Sequence, residues 1–277
     1  MILVPGRSAL VAQADVTGAR PGCSFCPDGA EAPSARVALF ESRHPMVQAM
    51  GGRARHHVLV YGDEHGQRLA DVPLTDVVAL LDTAGKQTTT LFDDPGVLAV
   101  YAFESVGDHF GPTVAHPHGQ IIGLDFVPRR LLLLADACLL CATGSDDLIV
   151  QTTPGTYLRV APWARLPFEM VLYPRRHLGR LADATATELL ELAEQIQTGL
   201  ALCRDSTGRN HPYLLNIMQA PRRNDGHQHH LRVEIVPLHK PDGNLKRPGA
   251  MEIGLGVYLN PVEPRNAAAL LRERLAR

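Results

Sequence analysis

Neither charge is in excess in this chain: 27 Lys and Arg stand against 29 Asp and Glu, a formal net charge of -2 with a pI near 6.7. That balance argues against the basic footprint that wraps nucleic acid, although a local cluster of arginines can still hold phosphates. Nucleotide-sized ligands therefore fit better than polynucleotides. Long apolar runs are missing as well. The best candidate, around Leu131 to Leu140, is too short for a bilayer and carries Asp136, so no membrane partner is expected. Met1 to Leu10 lacks a basic n-region and is broken at Pro5, so it does not read as a secretory signal and a cytoplasmic location is expected. Cysteine is scarce: the five residues form two Cys-x-x-Cys pairs and a lone Cys203. In a reducing compartment that arrangement points to metal more than to disulfides. What is present is the make-up of a globular protein, 277 residues that are 45% hydrophobic and 20% charged, enough to bury a sizeable core in one large domain or two smaller ones.

The chain repeats itself. Val58-Leu59-Val60-Tyr61, followed by His65, Arg68, Leu69, Ala70 and Asp71, returns as Met170-Val171-Leu172-Tyr173, followed by His177, Arg180, Leu181, Ala182 and Asp183. The offset is 112 positions both from Tyr61 to Tyr173 and from His65 to His177. Each copy is preceded by a Cys-x-x-Cys, at Cys23/Cys26 and at Cys138/Cys141. Two copies of one unit are the simplest reading, residues 1–135 and 136–277, with the boundary near Ala135.

Each apolar tetrapeptide reads as a buried strand and each Leu-Ala-Asp is followed by a helical pattern. Val77, Val78, Leu80 and Leu81 supply the apolar stripe of the first helix. Leu189, Leu190, Leu192, Ala193 and Ile196 supply that of the second, where Thr185 and Glu188 predict a capping box. Further strands are expected over Val97–Phe103, Gln120–Leu124, Tyr213–Met218 and Leu231–Val236. Few β-α-β alternations are visible, so the pattern predicts an α+β fold with mainly antiparallel sheet.

Zinc prefers four ligands in a tetrahedron, and two cysteines two residues apart supply one edge of it. Downstream histidines complete the set in each copy: Cys23, Cys26, His65 and His116 in the first, Cys138, Cys141, His177 and His230 in the second. The intervals are parallel, 39 and 51 positions from Cys26 through His65 to His116, against 36 and 53 in the second copy. One such pair alone also reads as a redox pair or as two buried thiols; two with parallel histidines favour structural zinc. His227 and His229 crowd His230 and leave the fourth ligand of the second site open. His44, His56, His57, His211 and His239 read as satisfied core histidines.

The segment His116-Pro117-His118-Gly119-Gln120 carries the expected chemistry. With His116 tied to metal, His118 is left as a free imidazole, and a neutral imidazole is a competent nucleophile toward phosphorus. On an extended strand the two rings would face the same side. Gly119 would let a phosphate approach the backbone, and the Gln120 amide would donate to a non-bridging phosphoryl oxygen as charge builds there. A backbone carbonyl near Pro117 could fix the imidazole tautomer. The second copy has His230-Leu231-Arg232 here, so one half is expected to be active and the other chemically silent. The plainer alternative for His118 is a polar core or surface residue.

These residues resemble the galactose-1-phosphate uridylyltransferases and the related ADP-glucose phosphorylases of the histidine-triad superfamily. The similarity runs through Cys23-Ser24-Phe25-Cys26-Pro27, Phe103-Glu104, the His116–Gln120 segment, Pro167-Phe168-Glu169 and Glu252-Ile253-Gly254 with Asn260-Pro261, and the last of these is closer to the phosphorylase branch. It implies two tandem histidine-triad-like repeats, the first catalytic and the second not. It also implies double displacement through a nucleotidyl-histidine on His118, with the nucleotide passing from a nucleotide or nucleotide sugar to a sugar 1-phosphate or phosphate. Cys23, Cys26, His65 and His116 match the family's zinc ligands, and members with two sites match Cys138, Cys141, His177 and His230. Ser42 and Ser105 stand where classical members place substrate-binding asparagines, and Gly256 where a sugar-contacting glutamate sits, which argues against galactose specificity. Some bacterial members carry an iron site; Met218, Arg232 and Glu234 stand where its three histidines would be. Arg7 is only a weak substitute for the family's N-terminal phosphate-binding arginines. A homodimer is suggested by the resemblance alone. A hydrolase of the same superfamily, or a non-catalytic zinc-stabilised nucleotide-binding protein, are the competing readings; hydrolases usually carry a third histidine where this chain has Gln120.

Overall fold

Short stretches of β-branched, aromatic and leucine residues pair edge to edge into one antiparallel sheet. The structure, a computed structural model, describes residues 22–26, 29–31, 35–47, 54–107, 114–132, 138–142, 146–204, 211–222, 229–240 and 244–277. Arg7, Ala135 and His227 lie outside the described residues. The strands are β1 (Val37–Glu41), β2 (His56–Tyr61), β3 (Ala99–Val106), β4 (His118–Leu124), β5 (Ile149–Thr152), β6 (Thr156–Val160), β7 (Met170–Pro174), β8 (Tyr213–Met218) and β9 (Arg232–Pro237). They lie in the order β1-β2-β4-β3-β8-β9-β7-β6-β5, and each neighbouring pair is antiparallel. Outward from the β3–β8 junction one arm runs β3, β4, β2, β1 and the other β8, β9, β7, β6, with β5 added at the edge. The sequence repeat is thus a repeat of strand order, and Phe103 pairs with Asn216 at its centre. The α+β class with mainly antiparallel sheet is the fold observed.

Alternation along the strands gives the sheet two unlike faces. Leu59, Tyr61, Ala102, Ile121, Leu215, Ile217, Val233, Ile235, Leu158 and Leu172 join the main core, which is covered by the helices Leu74–Phe92 and Ala186–Leu202. The predicted stripes are the buried faces of those helices, with one exception. Leu190 is 41% exposed, because Leu189, Leu192, Ala193, Ile196 and Leu200 already fill the inward arc and a residue one step from Leu189 turns about 100° away from it. The Thr185 capping box forms as expected: Glu188 N–H donates to Thr185 Oγ1 at 3.2 Å and Thr185 N–H to Glu188 Oε2 at 2.8 Å. Strands β1, β5 and β6 and the helices Ala250–Leu255 and Pro264–Leu275 are elements that the sequence patterning did not predict. The opposite face carries His56, His118, Gln120, Phe103, Asn216, Arg232 and Glu234, and it is there that the polar chemistry collects. Among the described residues no helix is long and apolar enough to cross a membrane.

Candidate active site and metal centres

Both predicted Cys/His sets come together. In each set four ligand atoms lie within 4.8 Å of one another. In the first, Cys26 Sγ is 3.3 Å from His65 Nδ1 and 3.6 Å from His116 Nδ1. In the second, Cys141 Sγ is 3.3 Å from His177 Nδ1 and 3.5 Å from His230 Nδ1, and Cys138 Sγ is also 3.5 Å from His230 Nδ1. A tetrahedral ion with ordinary metal–sulfur and metal–imidazole bonds holds its sulfur and nitrogen ligands about 3.5 Å apart. The observed spacings suit such an ion.

The outer bonds match between the copies. The Nε2–H of His116 donates to Gly62 O at 3.3 Å and that of His230 to Pro174 O at 2.8 Å. Each bond leaves the Nδ1 lone pair facing the cysteines, which is the tautomer a metal requires. Burial lowers the pKa of His116 and takes that of His230 to about 4, so both rings are held neutral. Burial first, then the bond to Cys23, pushes the Cys26 thiol up to about 11; Cys141 is raised to about 11 by burial and then by Cys138. His229, the competing ligand, instead places Nε2–H on Leu131 O at 2.7 Å and is not part of the group.

His116 precedes β4 rather than lying on it, so the expectation that His116 and His118 face one side of a strand is not met. The bend at His116 sends that residue to the cysteines, while His118 lies on the polar face. The ring of Phe25, held between Cys23 and Cys26, lies against both, with centroids 6.4 Å from His116 and 5.6 Å from His118. The Nδ1–H of His118 donates to the carbonyl of His116 at 2.9 Å. The Nε2 of His118 therefore keeps its lone pair, and burial lowers the pKa of the ring, favouring the neutral form.

Gln120 stands two residues along on the same face, and its Oε1 accepts from His56 Nε2 at 2.9 Å. A Cβ on Gly119 would come 3.2 Å from Phe103 O, so strand pairing constrains this position, and only its backbone is available to a ligand. Ser42, just past β1, donates its backbone N–H to His56 O at 2.9 Å, and its Oγ accepts from His44 N at 3.2 Å. Ser105 lies two residues from Phe103, the partner of Gln120, on the same face of β3. Of the histidines read as core, His56, His211 and His239 are buried, whereas His44 is exposed and His57 only partly buried. His44 sits in the turn after β1, where the chain leaves the sheet.

In the second copy Arg232 takes the place of His118. Its Nε donates to Glu234 Oε1 at 2.9 Å, and Arg130 Nη2 donates to Glu234 Oε2 at 2.6 Å. Glu234 is fully buried and occupies the position of Gln120. Sequence reasoning missed Arg130, which comes from the short helix Arg129–Leu132 after β4 and has no motif around it.

The residues 23–128, which contain the first Cys/His set together with His118 and Gln120, match the model for the galactose-1-phosphate uridyl transferase N-terminal domain. A galactose-1-phosphate uridylyltransferase of Thermotoga maritima is 27% identical over 96% of this chain and 93% of its own length. The chain is thus similar to galactose-1-phosphate uridylyltransferases and to ADP-glucose phosphorylase. The relatives it resembles are enzymes. An ADP-glucose phosphorylase of Arabidopsis thaliana is 25% identical over 79% of this chain, which spans 64% of that protein. A solved uridylyltransferase structure superposes with a TM-score of 0.82 at 25% identity, covering 94% of this chain and 90% of that one. The similarity thus extends across both arms of the sheet, beyond the segment that the domain model matches.

Proposed function

We propose that this enzyme transfers a nucleoside monophosphate to a sugar 1-phosphate, or to phosphate, through a covalent nucleotidyl-histidine on His118. The observation that carries the reading is the tautomer of His118. Its Nδ1–H is committed to the His116 carbonyl, so Nε2 is the nucleophilic nitrogen. In the first half-reaction Nε2 bonds to the α-phosphorus of a nucleotide sugar or nucleoside triphosphate, and the P–O bond to the leaving group breaks. The electron pair leaves with the sugar 1-phosphate or pyrophosphate. The ring then carries positive charge, which the His116 carbonyl stabilises through Nδ1–H. In the second half-reaction an oxygen of the acceptor phosphate bonds to the same phosphorus, the P–N bond breaks, and the neutral imidazole returns. The Gln120 amide donates to a non-bridging oxygen as charge accumulates, while Ser42, Ser105 and the Gly119 backbone help hold the substrate.

Zinc is the ion that both Cys/His sets suit best, with two thiolates and two imidazoles each. The first site anchors His116 and, through its carbonyl, His118. On this reading residues 1–135 form the catalytic repeat and 136–277 the non-catalytic one, where an arginine replaces the nucleophile. The similarity to proteins named for uridylyl transfer and for ADP-glucose phosphorolysis supports a nucleotide sugar as donor. The test is intact-protein and peptide mass spectrometry after mixing the zinc-loaded enzyme with UTP, UDP-sugars or ADP-glucose. A nucleotide adduct mapped to His118, and lost in His118→Ala, is expected. Turnover without any such adduct would overturn the covalent mechanism.

A further inference from the structure

A glutamine offers a donor at one end of its amide and an acceptor at the other, and the two ends have nearly the same shape. If Gln120 is to meet a phosphoryl oxygen with a hydrogen bond, the NH2 end must be the one presented, because the carbonyl end would repel it. Something must therefore decide which end is which.

The decision can be followed from a group that has no choice. The backbone N–H of Met46 can only donate, and it donates to His56 Nδ1 at 3.0 Å. Nδ1 is thus the acceptor, and the neutral His56 ring carries its hydrogen on Nε2. That Nε2 lies 2.9 Å from the amide oxygen of Gln120. His56 is buried, at 1% exposure, and begins β2. Its strand neighbour Val58 pairs with Gln120 in the β2–β4 register, so His56 reaches Gln120 along the diagonal of one sheet face. The backbone also holds His56 through Ser42 N–H on its carbonyl, 2.9 Å. Among the described residues the Gln120 NH2 has no hydrogen-bond partner, and it stays available for a ligand.

We infer that His56 is a positioning residue of the transfer site: it passes the fixed direction of the Met46 N–H to Gln120 and locks the amide with its NH2 free for the phosphoryl oxygen. This rests on the proposed roles of His118 and Gln120. His118 is set in the same manner by a backbone carbonyl, so both side chains of the proposed chemistry take their polarity from main-chain groups.

The experiment follows adduct formation on His118 in single turnovers of the zinc-loaded full chain, with UTP, UDP-glucose and ADP-glucose each tried as donor. His56→Phe keeps the bulk and removes the donor. It is expected to slow adduct formation at saturating donor by about 10- to 100-fold while leaving half-saturation unchanged, because the loss falls on the transition state. His56→Gln, which can place an N–H where Nε2 was, recovers most of the rate. In a Gln120→Ala background His56→Phe adds no more than about twofold. Losses that multiply in the double variant, or a change confined to half-saturation, would overturn the inference. Histidine 15N NMR of the full chain reads the His56 tautomer without any chemistry, and a ring protonated on Nδ1 alone would also overturn it. If no donor labels wild-type His118, the covalent reading fails separately, while the NMR result still decides the orientation.

Discussion

Glu104 shows how one residue next to the proposed site can load the stability of the molecule. It alternates with Phe103 on β3, so Phe103 looks onto the polar face and Glu104 into the core. There it accepts hydrogen bonds from the hydroxyls of Tyr61 and Tyr213, the latter at 3.1 Å. Burial is the largest influence and raises its pKa to about 7, against the opposing pull of the two tyrosine bonds. The folded state therefore holds this proton more tightly than the unfolded chain. Its contribution is fully present below the unfolded value near 4.5 and is lost as pH rises through about 7, a swing on the order of 3 kcal/mol. Glu104→Gln mimics the protonated form, so its denaturation midpoint should gain on wild type between pH 5 and pH 8. Paired denaturant titrations across that range check this, and a pH-independent difference would show that the folded state does not raise the Glu104 pKa.

At the scale of the element, the same unit, a histidine followed by a strand, is built twice and serves different ends. β4 and β9 are each preceded by a histidine of a Cys/His set, yet β4 then presents an imidazole and an amide, and β9 an ion pair. The Ala186–Leu202 helix illustrates how far local rules reach. Its capping box satisfies two backbone donors, and Arg176 holds Glu188 at 2.8 Å, drawing the Glu188 pKa down to about 2. Thr185→Ala should cost about 1 kcal/mol in chemical denaturation without changing the transfer rate per folded molecule. Gly256 follows a local rule too. It ends the Ala250–Leu255 helix with φ +68°, the left-handed conformation that glycine adopts without strain. A glutamate at this position would have to bear that strain.

For the whole molecule, the two arms share one sheet, but their anchors are separable. Removing metal with a strong chelator should unfold the protein or lower its midpoint steeply, because filled sites of this kind contribute on the order of 10 kcal/mol. The two sites should differ in consequence. Cys26→Ser should lose both stability and adduct formation, since His116 positions His118, whereas Cys141→Ser should lose stability and keep the rate of the folded fraction. Metal analysis, thermal melts and single-turnover labelling of both variants provide the comparison. The Arg130–Glu234–Arg232 triad is a second tie, joining the short helix after β4 to β9. Glu234→Ala leaves Arg232, only 4% exposed at its side chain, without its carboxylate. It should cost about 3 kcal/mol or more, measured by denaturation.

The sequence alone determined the repeat, the two ligand sets, the capped helix and the His118–Gln120 segment, because each depends on spacing or on neighbours a few residues apart. Strands β1, β5 and β6 escaped it, being short and without a pattern of their own, and so did the bend that parts His116 from His118. The role of His56 was beyond its reach for a clear physical reason. Nothing in the order of residues says that Met46 N–H, an imidazole and an amide 64 positions further on will meet. Only pairing of β2 with β4 brings them within hydrogen-bonding distance, and only that contact turns a core histidine into one that sets the polarity of its neighbour.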